Sequence, residues 1–130
     1  MQTEKDLSQL ENFDIELYKT RSEVIRQTVA QVVKDFAMFG MEVEFTGNTE
    51  MAYNELFMQL SHHIDILLEQ NPGKLAALLY QVDLSEQKIF DSLTEHPEYS
   101  HAQVISELVI HRELKKVLLR NYFKNQKTGQ

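Results

Sequence analysis

Only four glycines and two prolines interrupt 130 residues. A sandwich or barrel of short strands needs a turn roughly every 8–12 residues and draws on Gly and Pro to make them. So few turn formers favour a handful of long helices joined by short loops. The apolar residues agree. Between Ile15 and Phe39, Tyr18, Ile25, Val29, Val32, Phe36 and Phe39 recur at spacings of 7, 4, 3, 4 and 3, the one-face period of an amphipathic helix. Gly40 follows, where a left-handed cap residue is favoured. Upstream, Leu7, Leu10 and Leu17 hold roughly the same phase. A helix beginning at Glu4 behind a Thr3 cap would measure about 54 Å, longer than a compact domain of this size. A break near Asn12 to Asp14 is therefore expected, leaving residues 1–13 as an arm or short helix.

Met41 to Phe45 alternates apolar and acidic residues, the period of a strand. No second strand in the chain pairs with it, so the expectation is an extended linker over 41–47, turned by Gly47 and Asn48. A second helix is expected from about Glu50 to Glu69, capped by Asn48 or Thr49, with Tyr53, Leu56, Phe57, Leu60, Ile64, Leu67 and Leu68 as its stripe. Asn71 caps a further start, with Pro72 at the first helical position, and Leu75, Leu78, Leu79 and Val82 show the i, i+3, i+4, i+7 pattern. Asp83 with Glu86 reads as a capping box that opens a short helix carrying Ile89, Phe90 and Leu93; one helix over 74–94 is the alternative. Pro97 ends that stretch. Ser100 with Gln103 forms a capping box, and Tyr99 is placed to staple onto Val104, so a last helix should run from Ser100 to about Phe123. The sum is an all-α chain: a compact, up-down-type bundle of four or five helices over 14–123, with a disordered basic tail over 124–130.

At 130 residues with 42% hydrophobic and 25% charged residues, the chain is ordinary for one globular domain. Cysteine is absent, which excludes disulfides, thiolate metal sites and a cysteine nucleophile. Met1 to Gln9 has no apolar core of the kind a signal peptide needs. The longest apolar run, Leu75 to Tyr80, is far short of the roughly 20 residues that span a bilayer. Cytoplasmic residence is expected.

The last helix carries two apolar faces. Val104, Leu108, Leu118, Leu119 and Tyr122 share one with His111 and Lys115, while Ile110, Leu114 and Val117 lie toward the other side. A helix apolar on two faces is central in its domain or sandwiched against a second chain. Charge is segregated as well. Residues 112–130 sum to +5 within a chain of −7, whereas Asp35 to Gly73 holds seven acids and no Lys or Arg. Arg112, Lys116, Arg120 and Lys124 fall four apart along the last helix. They suit its C-terminal dipole, an acidic neighbouring helix, or an anionic partner. An acidic body repels a polyanion and no nucleic-acid-reading motif is present, so no nucleic acid is expected; nor is a membrane, because the apolar side of this helix is needed in the core.

Catalytic signatures are missing. The glycines are isolated, so no phosphate loop forms, and there is no G-x-S-x-G elbow. His62 points away from the second helix's stripe, His63 lies at its edge, and His96 and His101 flank Pro97. His63, His111 and Glu107 would form an N/N/O metal site if the second and last helices were antiparallel neighbours. Against it, Glu107 and His111 have the Glu-x-x-x-His spacing once only, where bundle di-iron sites use paired Glu-x-x-His. Lys115 on an apolar stripe suits a stem laid on the core with its ammonium in water. The methionines and phenylalanines around 36–58 suit gap filling where a long connection crosses a bundle. The reading is a non-catalytic, self-associating interaction or scaffold module with no cofactor, a homodimer open to a protein partner. Its interface is placed at Ile110, Leu114, Val117, Arg112, Lys116 and Arg120, and a metal-binding bundle using His63, His111 and Glu107 is the alternative.

Overall fold

The computed structural model describes residues 15–128, which form five helices and no strand. The arm expected over 1–13 lies outside the described residues. Helix α1 spans Ile15–Ala37; a 3₁₀ turn, Thr49–Met51, leads into α2, Ala52–Gln70. Helices α3, Pro72–Val82, and α4, Glu86–Glu95, precede α5, His101–Thr128.

Local chemistry sets these boundaries. After α1, Gly40 adopts φ 76°, its N–H reaches Ala37 O at 3.0 Å, and the Met41 N–H reaches Phe36 O at 3.0 Å. That pair of bonds is a Schellman ending, and the positive φ is why a glycine stands there. Asn48 caps the 3₁₀ turn through the Glu50 N–H, and Asn71 caps α3 through the Lys74 N–H. The stretch 74–94 is two helices. Asp83 does not open the second; it ends α3 in the left-handed region at φ 73°, with the Leu84 N–H bonded back to Leu79 O at 3.0 Å. Ser85 caps α4 instead, accepting from the Lys88 N–H. The capping box of α5 forms as its residues require: the Ser100 N–H donates to Gln103 Oε1 and the Gln103 N–H donates to Ser100 Oγ. Tyr99 is exposed with its ring toward His96. Beyond Phe123 the helix continues to Thr128, through residues assigned above to a tail.

Helix α5 touches all four others and is the axis of the bundle. Contacts run from Gln27 to Asn121, Gln31 to Arg120 and Asp35 to Glu113, so α1 and α5 are antiparallel. Where α2 crosses α5, two small residues meet: Ser61 Oγ donates to Ser106 Oγ at 3.2 Å, and Ser106 Oγ donates to Ala102 O. Phe36, Leu60, Ile64, Leu78 and Val109 are fully enclosed between the helices.

The alternating segment 41–46 is a strap without a partner strand. Met41 and Val43 are buried, while Glu42 and Glu44 face water. Its backbone pairs with side chains of α2 instead. His63 Nε2 donates to Glu42 O at 2.8 Å; Gln59 Oε1 accepts from the Glu44 N–H and Gln59 Nε2 donates to Glu44 O, both at 2.8 Å. Glu55 accepts from the Thr46 N–H at 3.0 Å and from Thr46 Oγ1 at 2.6 Å. Two extended residues advance about 6.6 Å and four helical ones about 6 Å, so positions 42, 44 and 46 stay in step with 63, 59 and 55. The strap's polar backbone groups are thus satisfied without a sheet.

Candidate interaction face

The two apolar faces of α5 meet different fates. Ile110, Leu114 and Val117 are buried by the chain's own helices. The three cations placed beside them are also engaged internally. Arg112 Nε donates to Asp83 O at 3.0 Å and its guanidinium pairs with Asp83 Oδ2 at 2.6 Å, clamping the left-handed corner between α3 and α4. Lys116 Nζ lies 2.6 Å from Glu113 Oε1, and Arg120 donates to Gln31 Oε1. The face assigned from sequence to a second chain is therefore covered by α1 and by the α3–α4 corner.

The other face is only half covered. At about 28 × 1.5 Å, α5 extends past α3 and α4. Leu108, His111, Lys115 and Leu118 line one wall of a cleft of about 920 Å³, with Tyr80, Leu84 and Lys88 opposite. That volume is within the range of ligand and peptide clefts. Beyond the cleft the same face continues as Leu119, 45% exposed, and Tyr122, 58% exposed, with Phe123 edge-on to the Tyr122 ring. Tyr80, 86% exposed, stands at the rim, and no side chain of α4 is fully buried. Among the described residues the Lys88 and Lys115 ammonium groups have no hydrogen bond or ion pair. The outer side of α2 has the opposite character: Met58 and Ile66 are exposed on the same helix as exposed Asp65 and Glu69.

The metal alternative loses its geometry. His111 Nε2 lies 3.7 Å from Glu107 Oε1 on α5, but His63 is bound to Glu42 O on the strap, with Phe36 beside its ring. Ser61 marks the flank of α2 that meets α5, and two residues on, His63 is turned about 200° away from it. Glu107 instead faces Tyr53 of α2, whose hydroxyl is pushed up to about 12, by burial first and then by the Glu107 charge. Among the described residues no three His, Asp or Glu side chains gather closely enough to hold a metal ion.

One constellation escaped the sequence reading. Asp35 on α1 and Glu113 on α5, 1% and 0% exposed, meet in the seam between the two helices. Gln31 Nε2 donates to Asp35 Oδ1 at 3.1 Å, whereas Asp35 Oδ2 and Glu113 Oε2 have no partner. Burial foremost, then the Asp35 carboxyl facing it across the seam, pushes the Glu113 carboxyl up to about 8 against the pull of Lys116. A signal for the pair exists in the sequence. Asp35 stands between Val32 and Phe36 of the α1 seam, and Glu113 stands between Ile110 and Val117; an acid inside an apolar stripe marks a buried carboxyl.

None of the described helices is long and apolar enough to cross a membrane. No protein family, curated protein or solved structure matches this chain.

Proposed function

We propose that this chain is a non-catalytic, cytoplasmic interaction module that associates with a second copy of itself through the half-covered face of α5. The observation that carries this reading is the α5 face on which half-buried Leu108 and Leu118 line the cleft and Leu119 and Tyr122 stand exposed beyond it, beside two lysines without partners. Contiguous exposed apolar surface marks an interaction site more often than scattered single residues do. Charge selects the occupant. Lys88 and Lys115 flank the α5 face, and Asp65 and Glu69 accompany Met58 and Ile66 on α2. One copy's basic, apolar face complements another copy's acidic, apolar face, which fixes orientation and disfavours face-to-face pairing of the two basic sides.

The test is a charge swap. Lys88→Glu with Lys115→Glu, and separately Asp65→Lys with Glu69→Lys, should each weaken association several-fold in sedimentation velocity at low salt. Mixing the two variants should restore it, because the reversed faces again complement each other. Unchanged association in both variants, or no recovery on mixing, rejects the reading.

A further inference from the structure

We propose that Asp35 and Glu113 hold one proton between them and that its release loosens α1 from α5, making this seam a latch that opens as the solution turns alkaline. The proposal stands on the placement of the two carboxyls. Both are enclosed, they touch each other across the seam, and each keeps an oxygen without a partner. A single proton resolves the arrangement: one carboxyl becomes an O–H donor and the other accepts it. The cluster is then neutral, the shared negative charge balanced by Lys116, whose Nζ is 2.6 Å from Glu113 Oε1. Without that proton, two enclosed anions face one ammonium, and burial makes the excess charge costly.

The neighbouring groups support this. From α1 the cluster is faced by Asp35 and by Gln31, which Arg120 also holds. From α5 it is faced by Lys116. Among the described residues Asp35 and Lys116 are the charged groups acting on Glu113, and none comes from α2, α3 or α4. The raised affinity for a proton, with release near pH 8, puts the transition just above neutrality; because the two groups interact, the proton belongs to the pair. The sign follows from linkage. The closed state holds a proton that the open state gives up at an ordinary carboxyl value. The latch is therefore tightest below that value, weakens as pH rises, and is spent once pH passes about 8.

The experiment follows α1 amide hydrogen exchange in the full chain, corrected for intrinsic rates, alongside ¹³C titration of the side-chain carboxyls. The opening constant of α1 should rise close to tenfold per pH unit from about pH 6 to about pH 8 and then level. One of the two carboxyl carbons should titrate near the upper end of that range. Glu113→Gln, which supplies a permanent donor to Asp35, should make opening independent of pH, and Asp35→Asn serves as a second variant should the first fail to fold. Both carboxyls titrating below about pH 5, or a pH profile unchanged by these substitutions, overturns the proposal.

Discussion

Replacing Gln59 by Ala isolates the ladder that holds the strap. The side chain makes two hydrogen bonds to Glu44 and a third to Glu55 O within α2. The third only restrains the amide, since Glu55 O also serves the helix. A net hydrogen bond contributes about 0.5–1.5 kcal/mol, and partners left in reach of water avoid the larger penalty of burial. The substitution should therefore cost about 1–3 kcal/mol. Met41 and Val43 remain seated in the core, each side chain worth about 1.5–3 kcal/mol of burial, so the strap should stay docked on average while its middle frays. Urea unfolding gives the global loss, and amide exchange at Glu44 gives the local one. Glu44 protection should fall sharply while protection in the middle of α2 falls only with global stability. Gln59→Glu retains the acceptor but not the donor and should lie between the two. If Gln59→Ala shifts stability by less than about 0.3 kcal/mol and Glu44 stays protected, the strap is held by its apolar side chains alone and the ladder argument is wrong.

Three other outcomes follow from the same reasoning. The Glu55 carboxyl is held below the ordinary carboxylate range by its hydrogen bonds from Thr46, so its contribution is present above that range and is lost as pH falls through the depressed value; Thr46 amide protection should weaken in acid in the wild type, lose that pH dependence in Glu55→Gln, whose amide oxygen still accepts, and be low at all pH values in Glu55→Ala. Arg112→Ala removes the clamp on Asp83, and since Asp83 is largely exposed the cost should be about 1 kcal/mol, read as a drop in melting temperature with faster exchange at Leu84. Ser100→Ala breaks the capping box and should cost about 0.5–2 kcal/mol in chemical denaturation, with Gln103 amide protection lost first.

Much of the fold was legible because its signals are local. The Ser100–Gln103 box, the Asn71–Pro72 start and the glycine after Phe39 each specify a hydrogen bond among neighbours, and each forms. The strap shows where local reading stops. Its alternation declared an extended chain, but its partners are Gln59, Glu55 and His63, a helical i, i+4, i+8 row that no strand-pairing rule seeks. Asp83 resembled an N-cap because Asp serves at either end of a helix; Arg112, 29 residues away, supports it in the left-handed corner. Choosing between the two faces of α5 required knowing where α1 lies. The spacing of Ile110, Leu114 and Val117 shows only that they share a side, and α1 covers that side. His63 and His111 diverge for a related reason: two helices in contact do not bring every edge residue together.

Self-association through the open side of α5 is the central claim about this chain. Sedimentation equilibrium of the unmodified chain, from low to high micromolar concentration at moderate ionic strength, tests this without any substitution. A weight-average mass that climbs above the monomer's with concentration, and climbs less with Leu119→Glu and Tyr122→Glu introduced together, is the predicted result. A single monomer mass across the whole range contradicts it.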